Sequence, residues 1–279
     1  MIDLAAAIND FKAPTPAQLR RALLLTRAWF DPQFFGVDAL DLRRPALFVG
    51  NHTLFSLDAP LLLAEVYSRH SVLLRALGDH FHFRMPIWGS LVRNGGGVEG
   101  TPENCAELMR QGQSVLVFPG GAREVMRRRG DGYDLIWKQR TGFARLAIQH
   151  GYDIIPFASV GPNETYDIVA DADDIRQSRA WNWLDRVAGL DRRLRGGDLI
   201  APVVRGVAGT PLPRPERFYI ACGERIPTAH LQCDAPEREL QWQVREQTAE
   251  AIAALVTTLQ AHRAEDRAKW SRLRRWLAS

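Results

Sequence analysis

His52 and Asp58 lie six positions apart in the stretch NHTLFSLDAP, which directly follows the apolar run ALFVG. A carboxylate that accepts a hydrogen bond from one ring nitrogen of a histidine leaves the other nitrogen free to take a proton from an alcohol. The same pair also fits a structural interpretation, in which Asp58 caps the next helix and His52 lies in a turn. The spacing alone favours this structural interpretation.

A second candidate element is FPGGAREV, residues 118–125. Its two glycines, Gly120 and Gly121, allow the backbone to approach a ligand closely. Backbone N–H groups beside Arg123 can hold an oxyanion or a phosphate. The alternative is a strand-to-helix turn with an exposed ion pair between Arg123 and Glu124. This alternative is weaker if the segment leaves the same sheet edge as His52.

Short apolar runs alternate with helical patterns along the chain, and this alternation predicts the elements that position these residues. The predicted strands are 46–50, 71–77, 114–121, 153–161 and 217–223, and the predicted helices are 58–70, 101–112 and 141–151. Such an order predicts an α/β fold with a mostly parallel sheet flanked by helices. Ligands bind at the carboxyl ends of the strands in such sheets, which is where His52 follows its strand.

Amphipathic helical additions are predicted at both ends of the chain and in its middle. Thr15, Pro16 and Gln18 form a capping box that opens a helix ending near Asp31. Segment 176–195 places Leu184, Val187, Leu190 and Leu194 at helical spacing among tryptophans and arginines, and the chain from Pro236 onwards is helical. We therefore predict a helical segment 1–44, an α/β domain 45–230 with a helical insertion at about 170–200, and a C-terminal helix within 231–279.

Composition excludes several classes of function. The net charge of +4 is too small to indicate a nucleic-acid partner, and the run RRRG at 127–130 is interpreted as a solvated loop. Three scattered cysteines without CxxC spacing predict neither a disulfide framework nor a metal site. The N-terminus lacks a secretory signal pattern, and no uncharged apolar run approaches the roughly 20 residues that a membrane span needs.

Taken in chain order, four segments resemble the glycerolipid acyltransferase superfamily, which carries an NHx4D box, an arginine-containing block, FPEGTRS and an apolar strand with proline. The counterparts here are NHTLFSLD, GGGVEGTPENC, FPGGARE and DIIPFASVG, within roughly residues 45–165. The differences are five residues between His52 and Asp58, Gly120 in place of the FPEG glutamate, and a second block without its arginine. GDHFHFRMP and the stretch from 135 to 157 look like the branch that makes neutral lipid esters, which includes diacylglycerol acyltransferase-like proteins and phytyl ester synthases.

The resemblance implies transfer of a fatty acyl group from a thioester of coenzyme A or of a carrier protein to a lipid alcohol, with no cofactor and no metal. It implies that His52 is the base, that Asp58 orients it, and that an acyl-enzyme intermediate is not needed. The implied substrate-binding residues are Asn51, Gly120, Gly121, Arg123 and Glu124.

The missing arginine predicts a neutral acceptor, such as a diacylglycerol or a long-chain alcohol. The alternatives are a lysophospholipid or glycerol-phosphate acyltransferase, a thioester hydrolase, and an inactive lipid-binding protein of the same fold. Lipid substrates and the Trp, Leu and Arg content of 176–195 and 267–278 predict a peripheral protein on the cytoplasmic face of a membrane.

Overall fold

A seven-stranded sheet forms the centre of the structure, a computed structural model that describes residues 11–279. The strand order is β1-β9-β6-β2-β5-β3-β4, and every neighbouring pair is parallel except β6 and β9. The predicted, mostly parallel sheet is therefore confirmed. Its strands are β1 Gln33–Phe35, β2 Ala46–Gly50, β3 Arg75–Gly78, β4 Val98–Glu99, β5 Val115–Val117, β6 Asp153–Val160 and β9 Tyr219–Cys222.

Helices cover both faces of this sheet, which explains why its central strands are buried along their whole length. All five residues of β2 and all eight of β6 are buried. One face packs against α6 Pro102–Arg110, α8 Gly142–His150 and α12 Arg238–Arg267, and the other against α2 Leu24–Phe30 and α3 Ala59–His70. Layers on both sides make the sheet rigid enough to fix the loops at its edge.

The predicted strand boundaries hold for some strands better than for others. Strands β2 and β6 match their predictions closely, whereas the strand predicted to start at 71 begins only at Arg75. Strands β1 and β4 were not predicted, because runs of three and two residues are too short to show an alternating pattern.

The N-terminal helix has its predicted capping box at Thr15 but is divided in two. Helix α1, Pro16–Ala22, is separated from α2 at Leu23, whose φ is −99° and ψ is 7°. The residues at 23–25 are three consecutive leucines, so their side chains cannot all face the core. Leu23 packs against the core beneath α2, and Leu25 is 82% exposed.

The middle segment differs more from its prediction, because it is not one helix with one apolar face. It forms α9 Ala172–Gln177, α10 Arg179–Ala188 and α11 Leu190–Arg193, with Gly189 in the left-handed region at φ 60° between the last two. Leu190 and Leu194 pack around Trp181, whereas Leu184 and Val187 are exposed. Strands β7 Asp167–Ala170 and β8 Val203–Arg205 flank the segment as a separate antiparallel pair.

The predicted C-terminal helix is confirmed as α12, and a short α13, Arg272–Leu277, follows it. Val244, Ile252 and Val256 of α12 belong to the main core. Both α12 and β1 thus pack with the central sheet, and the domain boundaries at 45 and 230 stay a prediction. Residues 1–10, on which the signal-peptide expectation depends, lie outside the described residues. Two short helices, α4 His80–Arg84 and α5 Pro86–Asn94, lie between β3 and β4.

Candidate active site

The two candidate elements meet at one edge of the sheet, as the sequence predicts. Strands β2 and β5 are parallel neighbours, so His52 and Phe118 both follow carboxyl ends at the same edge. Their rings stack with centroids 3.9 Å apart and planes 14° apart. The histidine therefore lies against the first residue of FPGGAREV.

The loop between His52 and Asp58 accommodates its five intervening residues with an unusual backbone. Phe55 and Ser56 both lie in the left-handed region, at φ 55° and 54°, within a short 3-10 turn. Bulky residues seldom adopt this conformation, and it persists only where the surroundings enforce it. One such restraint is Asn163, whose side-chain oxygen accepts a hydrogen bond from the Leu54 N–H at 2.8 Å.

Asn51 belongs to the framework of the site, which differs from the substrate contact that the sequence suggested. Its side-chain nitrogen donates to the Ser159 carbonyl at 3.0 Å, and its side-chain oxygen accepts from the Ser159 N–H at 2.9 Å. The fully buried amide thus extends the ladder between β2 and β6 by one step. These two bonds fix the point at which the chain leaves β2 and turns towards His52.

The imidazole of His52 is held in its neutral form. Burial, with smaller contributions from Arg127 and His82, lowers the pKa of His52 to about 3. Its Nδ1 atom is buried and has no hydrogen-bond partner among the described residues. The ring is therefore neutral, and a proton that it accepts would need a stabilising negative charge.

Asp58 is buried but does not bond to the His52 ring, contrary to the predicted His52–Asp58 hydrogen bond. Its carboxylate accepts a short hydrogen bond from the Thr53 hydroxyl instead. Burial raises the pKa of Asp58, an effect that the contacts with Thr53 and Ser159 oppose. Asp58 lies at the N-cap position of α3, yet its side chain makes no capping hydrogen bond to that helix.

Glu124, expected to bind substrate, is instead fully buried beneath the loop of His52. One carboxylate oxygen accepts from the His52 N–H at 3.1 Å, and the other accepts from the Ile136 N–H at 2.6 Å. A Cβ atom on Gly120 would lie 2.0 Å from the Cδ of Glu124. Gly120 is therefore needed because the glutamate fills its side-chain space.

The sequence suggested that Arg123 presents a free cation to a ligand, but the structure shows that it does not. Its two terminal nitrogens bind the carboxylate of Asp131 at 2.7 and 3.2 Å, and its side chain is only 11% exposed. Because the pair is bidentate and mostly buried, Arg123 closes the loop that follows α7, Ala122–Val125.

Arg140 covers the glycine turn from outside. One of its terminal nitrogens donates to the carbonyls of Pro119 and Gly120, each at 2.7 Å. Gly121 adopts φ 56°, and its N–H donates to the Phe118 carbonyl at 3.0 Å within the turn. That N–H is therefore already engaged, and Gly121 contributes shape to the site.

Arg127 has a role beside His52 that the sequence analysis did not predict. Interpreting RRRG as a solvated loop was wrong for this member, which is 3% exposed and donates to the His52 carbonyl at 3.0 Å. Its neighbours Arg128 and Arg129 form ion pairs with Asp173 and Asp174 of α9. A buried arginine and a solvated one share the same local sequence pattern, so only tertiary structure separates them.

Three further findings concern metal binding, the cysteines and membrane spans. Within residues 11–279, no cluster of three or more His, Cys, Asp or Glu side chains could hold a metal ion. The three cysteines are free thiols. No helix of the described part combines the length and the apolar character that crossing a membrane requires.

Comparison with known proteins agrees with this geometry. A family model described as Acyltransferase matches residues 32–160, from the start of β1 to the end of β6. Phytyl ester synthase 2 of Arabidopsis thaliana is 27% identical over 82% of this chain and 34% of its own length. The "DGAT1/2-independent enzyme synthesizing storage lipids" of Homo sapiens is 29% identical over 46% of this chain and 39% of its own.

A solved structure, the 1-acyl-sn-glycerophosphate (LPA) acyltransferase PlsC from Thermotoga maritima, shares the fold with a TM-score of 0.51 at 14% identity, over 86% of this chain and 79% of that one. The chain spans only about a third of the length of the two curated relatives described above. Residues 32–160, just under half of the chain, are therefore similar to the acyltransferase family, and the solved structure shows that the fold is shared.

Proposed function

We propose that this chain transfers a fatty acyl group from an acyl thioester to the hydroxyl of a lipid alcohol, with His52 as the general base. The neutral imidazole of His52, held at the carboxyl edge of the sheet against Phe118, is the observation that carries this proposal. The alcohol oxygen attacks the thioester carbonyl carbon while His52 takes the hydroxyl proton. The carbon–sulfur bond then breaks, and the thiolate recovers that proton from the imidazolium.

Asp58 has an electrostatic role in this proposal. A negative charge stabilises an imidazolium that forms in a buried site, and an ionised Asp58, bonded to the Thr53 hydroxyl, would supply that charge. The missing His52–Asp58 hydrogen bond favours one alternative, an inactive lipid-binding protein. An assay of purified protein with an acyl thioester, with and without alcohol, separates the transferase from that alternative and from a thioester hydrolase.

The charges around the site support a neutral acceptor. A phosphate dianion needs cations that are not already committed, because an unpaired buried dianion is very costly. Arg123 is paired with Asp131, and Arg127 and Arg140 donate to backbone carbonyls. In the second block, Glu99 bonds to His80 at 3.0 Å and adds negative charge near this edge of the sheet.

A competition assay tests the acceptor. Diacylglycerol, a fatty alcohol and lysophosphatidate are offered together with one acyl thioester, and we expect the ester of a neutral acceptor to dominate the products. Arg140→Gln serves as a matched variant, since a phosphate acceptor would use this exposed cation and a neutral acceptor would not. Preferential formation of phosphatidate, lost in Arg140→Gln, would contradict the proposal.

Helix α10 supports peripheral attachment to a membrane. Trp181 is buried and anchors the helix, while Trp183 and Val187, 64% and 71% exposed, point outward together with Leu184. The flanking arginines of α10, Arg179 and Arg186, are exposed. An apolar stripe bordered by cations is typical of helices that lie in a membrane interface.

Ion pairs connect this segment to the site edge. Arg128 binds Asp173 at 2.6 Å, and Arg195 binds Asp79 at 2.9 Å, where Asp79 directly follows β3. The apolar stripe of α10 is therefore held on the side of the molecule where the carboxyl ends of the strands lie. The C-terminal segment 267–278 contains both a buried and an exposed tryptophan: Trp270 is buried, whereas Trp276 is 70% exposed.

Flotation with anionic vesicles tests this attachment. We expect the wild-type protein to float at low salt and to float less at moderate salt, because screening weakens the arginine contribution. Trp183→Ser combined with Val187→Ser should sharply reduce flotation without unfolding the protein, since both side chains are exposed. Trp276→Ser separately measures how much the C-terminal segment 267–278 contributes to flotation. Equal flotation of the double variant and the wild type would exclude α10 as the element that binds the membrane.

A further inference from the structure

We propose that Glu124 and Arg127 are positioning residues that clamp the main chain of His52 from both sides. We further propose that Glu124 supplies, from one helical turn away, the carboxylate that is missing at position 120. This inference rests on the proposed function, because it assigns a role within the same site.

The clamp uses both polar groups of the His52 backbone. Its N–H donates to a carboxylate oxygen of Glu124 at 3.1 Å, and its carbonyl accepts from Arg127 at 3.0 Å. Neither Glu124 nor Arg127 is more than 3% exposed. Each is tied in turn to the following loop, Glu124 by the Ile136 N–H and Arg127 by the Asp134 carbonyl. The two side chains therefore fix His52 without touching a substrate.

Gly120 leaves open the space that the side chain of Glu124 occupies. Gly120 does not adopt a left-handed backbone, so any residue is conformationally permitted there. The three atoms that a Cβ atom would meet first all belong to Glu124, the nearest being its Cδ at 2.0 Å. The FPEG glutamate of the resembling family stands at this position. Only one of the two acidic side chains fits.

The protonation state of Glu124 depends on two opposing effects, burial and contacts with donors and cations. Burial raises the pKa of Glu124 to about 7, against the opposing effects of the Ile136 N–H, Arg127, the His52 N–H and Arg140. Both carboxylate oxygens accept hydrogen bonds, so the clamp is complete only when Glu124 is ionised. Since the folded pKa lies above the unfolded value of 4.5, this group contributes less to stability as the pH rises from 4.5 to 7. Stability and the clamp therefore respond to pH in opposite directions.

Steady-state kinetics across pH test the clamp. We expect kcat of the wild type to fall on the acid side of the pH profile with a midpoint near 7, and this acid limb reflects protonation of Glu124. Glu124→Gln should lower kcat by roughly 10- to 100-fold, the effect of misplacing a catalytic group, and should remove the limb. KM should change little. Glu265→Gln, an exposed glutamate, is the matched control.

A rescue variant separates positioning from general damage. A carbon–carbon bond is about 1.5 Å long, so the carboxyl carbon of an aspartate at 120 can reach close to the present position of the Glu124 Cδ. Gly120→Asp with Glu124→Ala should therefore recover most of the activity that Glu124→Ala loses. Gly120→Asp alone should be worse than the double variant, because two carboxylates then compete for one space.

A spectroscopic readout keeps the test independent of turnover. In protein labelled with 15N-histidine, the seven histidine amides give seven signals, and His52→Ala identifies one of them. We expect the His52 amide signal to titrate with a midpoint near 7 in the wild type and not in Glu124→Gln. An amide that does not titrate, or a Glu124→Gln enzyme with wild-type kcat and an intact limb, overturns the clamp. If the wild type lacks transferase activity, the proposed function fails, while the amide titration still decides the clamp.

Discussion

Replacing His52 by alanine is expected to lower the rate of acyl transfer by about 10²–10⁴-fold, the usual contribution of a general base. The ring, which is neutral because burial lowers its pKa, is the proton acceptor of the proposed reaction. The measurement is ester formation by purified protein from an acyl thioester and a lipid alcohol. Lipid mass spectrometry of cells that express the wild type or His52→Ala gives a second measurement.

The protein should stay folded, which circular dichroism and urea unfolding check. Asp58→Asn should also lose much of its activity, because the imidazolium then lacks its negative neighbour. Near-normal turnover in His52→Ala would refute the mechanism. Loss of solubility without a measurable effect on chemistry would instead support a structural role for the histidine.

The largest effect on stability is expected for Asn51→Leu. This change leaves the buried N–H and carbonyl of Ser159 without their side-chain partners. Each unsatisfied buried group costs about 1–3 kcal/mol, so the free energy of unfolding should fall by about 2–6 kcal/mol. Urea unfolding followed by tryptophan fluorescence measures this difference.

Asn182→Ala is the matched control, since Asn182 is exposed on α10. It should change stability by no more than about 0.5 kcal/mol. Activity of Asn51→Leu, measured at a temperature where the variant is folded, should also fall, because Asn51 sets the exit of the chain from β2. A variant as stable as the wild type would show that the Asn51 amide is not part of the framework.

The parts of the fold that could be predicted are those whose signal is local. Strand β2 and strand β6 are continuous apolar runs, and Thr101 with Pro102 marks the start of α6. The meeting of His52 with FPGGAREV also followed, because carboxyl ends of parallel strands share an edge.

The roles of individual polar side chains could not be predicted in the same way. Glu124 and Arg127 look like surface residues in sequence, and they are buried only because His52 presents its N–H and carbonyl to them. Arg123 was expected to bind a ligand, but Asp131, eight positions later, neutralises it. Each outcome depends on which partner is nearest in space, and sequence spacing does not contain that information.

The restraints on the His52 loop have a consequence for folding. The hydrogen bonds that define the loop join residues far apart in sequence: 72 positions for His52 and Glu124, 108 for Asn51 and Ser159, and 109 for Leu54 and Asn163. Such contacts carry a large loop-closure entropy and form slowly. A nascent or partly folded chain that contains β2 and its loop therefore lacks the catalytic geometry until β5 and β6 have docked. The position of His52 therefore depends on contacts that a chain without docked β5 and β6 cannot make.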